Sequence, residues 1–193
     1  VNPDNDTVSL DGKRLKPKRR DVYVMLHKPK GVVCTAKDDK GRKTVLDLLD
    51  VKARLFPVGR LDYDTEGLLL LTTDGQLAQT LTHPSHHIPK TYVVRIFGEL
   101  TEDEKITLEK GVMLDGKPTL PASIKVGKDD RTSRLEITVF EGRNRQVRRM
   151  LDSVGKDVEF LKRVSVGDLK LGGLSRGKYR YLTEKEINYL KSL

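Results

Sequence analysis

Four consecutive leucines, Leu68-Leu69-Leu70-Leu71, form the longest aliphatic run in the chain and most limit how it can fold. The run is far too short to span a bilayer. Bounded by polar, glycine-bearing sequence, residues 68–72 read as a fully buried strand. Such a strand needs apolar cover, and the surrounding pattern supplies it. Residues 22–26 read as a strand, Lys28-Pro29-Lys30-Gly31 as a turn, residues 32–35 as a second strand and residues 44–49 as a short helix or turn. Thr73 with Gln76 forms a capping-box pattern that opens a helix ending near Thr82 and Pro84. A strand over 92–97 follows, then a second box at Thr101 and Glu104, with Gly111 in the helix-closing position. A turn at 114–118 precedes strands at 120–126 and 135–140. Asn144 is placed to cap a helix over 145–154 closed by Gly155. Strands at 158–166 and 179–182 come next, and Thr183 with Glu186 opens the last helix. Strand pairs joined by tight turns and interrupted by helices predict an α+β fold with a mixed, mostly antiparallel sheet and flanking helices. Neither a doubly wound nucleotide fold nor a glycine-rich phosphate loop is indicated.

The chain divides unevenly. Residues 1–20 read as a basic linker in which Lys13, Arg14, Lys16, Lys18, Arg19 and Arg20 crowd around Pro17. Val8, Leu10 and Leu15 flank Asp11-Gly12, a short hairpin signal. Residues 21–193 read as one folded domain. The net charge is +9, from 37 Lys and Arg against 28 Asp and Glu, which points to a polyanionic partner because neutralised phosphates release counterions. A single cysteine, Cys34, excludes an internal disulfide and predicts an inert buried thiol. No metal is expected: Pro84 breaks the helix that would align His83 with His87. With a polar, acidic start and no membrane segment, the expected setting is the cytoplasm.

The segment Pro57-Val58-Gly59-Arg60-Leu61-Asp62-Tyr63-Asp64-Thr65-Glu66-Gly67 is a polar, glycine-bounded loop entering the leucine strand. Loops held by rigid strands are where reactive groups are commonly placed. In an extended loop, Arg60 and Asp62 project to one side and Leu61 to the core. A neighbouring guanidinium favours the charged form of a carboxylate, the form a nucleophile needs. Asp62 and Asp64 could equally be turn formers, and composition does not choose. Further on, Arg145, Arg148 and Arg149 share a face at i, i+3, i+4, opposite an apolar stripe of Val147, Met150, Leu151 and Val154. They face a phosphate, a carboxylate or solvent. Tyr92 sits in a strand, as a packing residue or as a platform for a splayed base.

The motif Gly59-Arg60-Leu61-Asp62-x-x-Thr65-x-Gly67-Leu68-Leu69-Leu70-Leu71-Thr72-x-Asp74-Gly75 resembles the signature loop of the bacterial ribosomal RNA pseudouridine synthases, in particular the RsuA/RluB branch. Lys90-Thr91-Tyr92, the stretch from Glu141 to Leu151 and the stretch from Phe160 to Gly167 resemble the later motifs, in order, from about Asp21 to Leu182. The resemblance implies the pseudouridine synthase catalytic fold with a central RNA-binding cleft. It implies isomerisation of a uridine, in large-subunit more than small-subunit RNA, with no cofactor, by a monomer acting on ribosomal RNA or a pre-ribosomal particle. It makes Asp62 the catalytic aspartate, Arg60 the residue that holds the flipped nucleotide's place, Tyr92 the ring that stacks on uracil, Arg148 the partner of Asp62, and Leu161 the apolar residue under the base. Lys90, Arg143, Asn144, Arg145, Arg149 and Arg163 are the expected RNA contacts. The branch usually carries a small N-terminal RNA-binding domain, of which residues 1 to about 15 resemble only the last hairpin. Two other readings compete: a non-catalytic RNA-binding or ribosome-assembly protein, and a nucleosidase pairing Asp62 with Asp64 or Glu66.

Overall fold

The computed structural model describes residues 9–10, 13–14, 20–35, 38–127 and 133–193. In chain order the strands are β1 (Ser9–Leu10), β2 (Lys13–Arg14), β3 (Tyr23–Lys28), β4 (Phe56–Val58), β5 (Glu66–Thr72), β6 (Lys90–Ile96), β7 (Met113–Leu114), β8 (Lys117–Pro118), β9 (Ser123–Gly127), β10 (Ser133–Val139), β11 (Val158–Val166), β12 (Leu169–Lys170) and β13 (Tyr179–Tyr181). The helices are α1 (Gly75–Thr82), α2 (Glu102–Lys110), α3 (Gln146–Asp152) and α4 (Glu184–Lys191). β1 and β2 pair as the expected hairpin. The fold is α+β, as the pattern predicts.

The main sheet runs β13-β3-β5-β11-β6-β10-β9, with β4 added to β5 and β12 to β11. Its pairings are antiparallel except β5 with β11, which meet in parallel over only Lys162↔Glu66 and Arg163↔Gly67. Farther along the same edge β5 pairs with β4, at Leu70, Leu71 and Thr72. The sheet therefore forks at Leu68. There Arg163 donates Nε to the Leu68 carbonyl at 2.8 Å, satisfying a backbone acceptor where the ladder divides. Gly67 has φ +116°, and a Cβ at this position would collide with the Arg163 backbone.

The fork separates the cores. Leu68 and Leu70 pack with Met25, Leu77 and Leu81 on one face of the first half, and Leu69 and Leu71 pack with Val24, Leu26, Val45 and Leu61 on the other. The leucine run is thus covered on both sides, as its composition requires. The second half, β6, β9, β10 and β11, builds its own cluster of Val94, Ile96, Leu135, Ile137 and Leu161 against Leu108 of α2 and Met150 and Leu151 of α3. Tyr92 packs against clusters in both halves. Lys90, the first residue of β6, pairs with Val166, the last of β11, and Gly167 N–H donates to the Pro89 carbonyl at 2.8 Å. The second half thus begins and ends at one spot.

Both predicted capping boxes at Thr101 and Thr183 form. The one predicted at Thr73 does not: Asp74 is the cap, accepting from the Leu77 N–H. Residues 32–35 make only an isolated bridge, Val33 with Thr44, rather than a strand. The helix expected over 145–154 is Gln146–Asp152, and its cap residue is Arg145 in the left-handed region (φ 49°), not Asn144. Cys34 is half-buried outside any strand; its Sγ accepts from the Leu61 N–H at 3.3 Å, and burial pushes the thiol pKa up.

Candidate active site

The loop between β4 and β5 is anchored from beneath. Lys28 is fully buried at the end of β3, and its ammonium donates to the carbonyls of Pro29 (3.0 Å), Asp62 (2.9 Å) and Thr65 (2.9 Å). A buried ammonium is costly unless its donors are met, and these three carbonyls meet them. Burial pushes the Lys28 pKa down, while Cys34 and then Asp62, Asp64 and Glu66 pull it back up. The Thr65 N–H closes the turn onto the Asp62 carbonyl at 3.1 Å. Leu61 is buried under the loop, whereas Arg60 is exposed and the Asp62 side chain is 27 % exposed.

A cleft of about 420 Å³ opens over the fork, within the ~300–1,000 Å³ range of small-ligand sites. It has room for one nucleotide unit rather than a duplex. One wall is the Asp62 loop with His83 and His87. The floor is Tyr92, Leu161 and Arg163, and the far wall is the segment from Val139 to Val147. Tyr92 is half-buried and Leu161 buried. Lys90 lies at the rim with its ammonium on the Ile88 carbonyl at 2.9 Å, and burial, then Arg163, push its pKa down.

The arginines face carboxylates. Arg145 holds Asp64 with two hydrogen bonds, 3.0 and 3.1 Å, and lies 3.9 Å from Asp62 Oδ2. Arg148 reaches the Asp64 carbonyl at 3.1 Å and its carboxylate at 3.4 Å. Burial raises the Asp64 pKa, but the Arg145 hydrogen bond and the Arg148 and Arg145 charges outweigh it and leave the group below the usual carboxylate range. Arg149 grips Asp115 at 2.6 and 2.9 Å. Arg143 bonds Glu141 and the carbonyls of Leu114, Lys117 and Pro118, tying the β7–β8 hairpin to the far wall.

The sequence profile of the RNA pseudouridylate synthases matches residues 22–153. The chain belongs to that family. The synthase is 44% identical over 194 residues to "Ribosomal large subunit pseudouridine synthase B" of Bacillus subtilis, covering 98% of this chain and 79% of that one. The protein of the same name from Vibrio cholerae is 40% identical over 98% of this chain and 62% of its own length. A solved pseudouridylate synthase superposes with a TM-score of 0.81 at 38% identity, covering 92% of this chain and 76% of that chain.

Among the residues singled out from the sequence, Arg60, Asp62, Lys90, Tyr92, Arg143, Asn144, Arg145, Leu161 and Arg163 all line the cleft of the synthase. Arg148 and Arg149 do not line it. Arg148 was expected to pair with Asp62; its direct contact is Asp64, and it acts on Asp62 only through charge. Arg163 was expected to touch RNA; it is 5% exposed, with its Nε committed to the fork. Sequence reasoning missed Lys28 as a loop anchor and Asp64 as the seat of two arginines. A signal for Lys28 was available: it continues the period-two face of Val24 and Leu26. Among the described residues, no three His, Cys, Asp or Glu side chains gather as a metal would require. None of the described helices is long and apolar enough to cross a membrane.

Proposed function

We propose that this synthase isomerises a uridine of large-subunit ribosomal RNA to pseudouridine, with Asp62 as its catalytic carboxylate and without a cofactor. The observation that carries this is the convergence of the Asp62 carboxylate, the Tyr92 ring and the Leu161 side chain on one nucleotide-sized cleft. The names of the Bacillus and Vibrio relatives supply the large-subunit target. The reaction breaks the N1–C1′ bond, turns the base and forms a C5–C1′ bond; C5 loses a proton and N1 ends carrying one, so no electrons or atoms are exchanged with a co-reactant. A base inside folded RNA must first leave its stack, at a cost of about a few kcal/mol. Exposed Arg60, on the lip, occupies the vacated place. Tyr92 stacks on the uracil with Leu161 packed under the base beside it, and these apolar side chains limit competing water. Asp62 engages the ribose, at C1′ or at the adjacent proton. Arg145, with Arg148 behind it, holds positive charge beside that carboxylate. The enzyme acts as a monomer in the cytoplasm, on free ribosomal RNA or a pre-ribosomal particle.

The test is Asp62→Asn on in vitro transcribed large- and small-subunit RNA. Pseudouridine formation is expected to vanish with RNA affinity within about twofold of the parent, because the exchanged group is isosteric and contributes through chemistry rather than binding. Conversion by the variant would remove Asp62 from the mechanism, conversion only in small-subunit RNA by the parent would overturn the target, and free uracil in the products would mark a nucleosidase.

A further inference from the structure

The half of the sheet that carries Tyr92 and Leu161 has a second face, pointing away from the cleft. Along β6 and β10 the buried residues Val94, Ile96, Leu135 and Ile137 alternate with exposed Arg95, Arg134 and Glu136; on β11, Phe160 and Lys162 flank buried Leu161. The inner face carries α2 and α3. The outer face is open, as one side of an antiparallel sheet can be.

Its side chains are not arranged as a merely solvated face would be. Strand register places Arg134 directly opposite Arg95, and Arg95 directly opposite Phe160. Like charges facing across an antiparallel pair are destabilising. Three cations also gather on the Phe160 ring: Lys30 Nζ at 5.3 Å, the Arg95 guanidinium at 5.6 Å and Lys162 Nζ at 5.9 Å from its centre. The ring's negative face attracts each cation, but unlike a carboxylate it leaves their charge intact. Two carboxylates lie close, Glu159 at 3.9 Å from Arg95 and Glu136 at 3.5 Å from Lys125. Among the described residues, Lys30, Lys162 and Arg134 have no carboxylate at ion-pair distance. A polyanion relieves this concentration of charge. The patch also starts beside the cleft, since Gly31, next to Lys30, donates its N–H to the Tyr63 carbonyl in the Asp62 loop at 2.9 Å.

We propose that this outer face, centred on Phe160, binds the phosphodiester backbone of a second segment of the RNA substrate, one that does not enter the cleft. The proposal rests on RNA being the substrate and adds a contact surface around the corner from Asp62. A substrate helix or strand leaving the cleft over the Tyr63 rim meets Lys30 first, then Lys162 and Arg95, then Arg134. Affinity from such contacts is electrostatic and independent of base sequence.

The test compares the parent with the triple variant Lys30→Gln, Arg95→Gln, Lys162→Gln and, separately, with Phe160→Leu, after circular dichroism has shown each to be folded. Binding of large-subunit ribosomal RNA is measured across a potassium chloride series, and pseudouridine formation in single turnover at saturating enzyme. The triple variant is expected to bind about tenfold or more weakly near 0.1 M salt, with the log–log salt slope reduced by about two to three, since each lost phosphate contact removes ~0.7–0.9. Its saturating conversion rate should stay within about twofold of the parent. Phe160→Leu should weaken binding by about threefold with little change in slope, because the cations remain but are no longer gathered. Parent-like affinity and slope in the triple variant overturn the proposal, as does a loss of saturating rate without a loss of affinity. Patch-dependent binding by a parent that makes no pseudouridine would support this surface and count against the activity instead.

Discussion

At the scale of single residues, the Asp62 loop is held by a charge that never meets solvent. Three carbonyl acceptors on one ammonium tie Asp62 and Thr65 of the loop to the turn at Pro29. Lys28→Met keeps the stem of the side chain and deletes the donors, leaving those carbonyls short of a partner. At ~1–3 kcal/mol for each buried group left unsatisfied, the variant should lose about 2–4 kcal/mol in urea unfolding and at least about a hundredfold in single-turnover rate. A parent-like rate would mean that the loop needs no such anchor. Asp64 differs. Its ion pair with Arg145 is partly exposed on both sides, and exposed pairs contribute only ~0–1 kcal/mol to stability. Asp64→Asn should therefore scarcely move the melting temperature, while freeing two arginines beside Asp62 and lowering the conversion rate by about tenfold. Equal effects on stability and rate would assign Asp64 to the scaffold alone.

At the scale of elements, local chemistry was legible and partnerships were not. The capping boxes at Thr101 and Thr183 depend on a side chain and an N–H three residues apart, so the sequence contains all that forms them. Asp74 took the place assigned to Thr73 because Thr73 Oγ1 is engaged with Asp21 and with the Val22 N–H just ahead of β3, a competition visible only after folding. Residues 32–35 have strand-like composition, but only Val33 forms a β-bridge, with Thr44 just ahead of the short helix at Leu46–Leu48. The Asp62 loop was readable because its motif lies in one continuous segment, whereas the exchange of Arg148 from Asp62 to Asp64 depends on how α3 enters, through the left-handed Arg145. The last helix offers a pH test. Glu186 completes its capping box and accepts two hydrogen bonds from Arg180 of β13, 2.7 and 2.8 Å. The Arg180 hydrogen bonds lower its pKa to about 2, beneath the ~4.3 of an unfolded chain. A depressed folded value stabilises above the unfolded value and is lost as pH falls through the folded one. Glu186→Gln should thus cost about 1–2 kcal/mol at pH 7, after allowance for solvent screening, and almost nothing near pH 2. Denaturant melts of both proteins at the two pH values read this directly; a penalty that persists in acid would deny the ion pair its role.

At the scale of the whole molecule, the narrow join between the half-sheets governs the site. Only two residue pairs carry the parallel contact, and the cleft lies over the fork beyond it. Gly67→Ala places a methyl against the Arg163 backbone at a positive φ. Both faults act at the join, so it should cost more than ~2 kcal/mol and abolish conversion even though Asp62, Tyr92 and Leu161 are untouched. Equilibrium unfolding with the same single-turnover assay checks this; parent-like stability would mean the halves tolerate separation. The overall class was readable because alternating strands and helices are a global pattern. The fork was not, since no local signal announces that a central strand will change neighbours halfway along.

The second half enters the chain at Lys90 and leaves it at Val166, residues that pair side by side. Geometrically it is a cassette plugged into one socket, carrying Tyr92, Leu161 and the arginine-bearing wall of the cleft, while the Asp62 loop remains with the host. Grafting the corresponding cassette from a relative onto this host requires only one pair of adjacent splice points, so the floor and far wall of the cleft can be exchanged while the Asp62 loop stays in place.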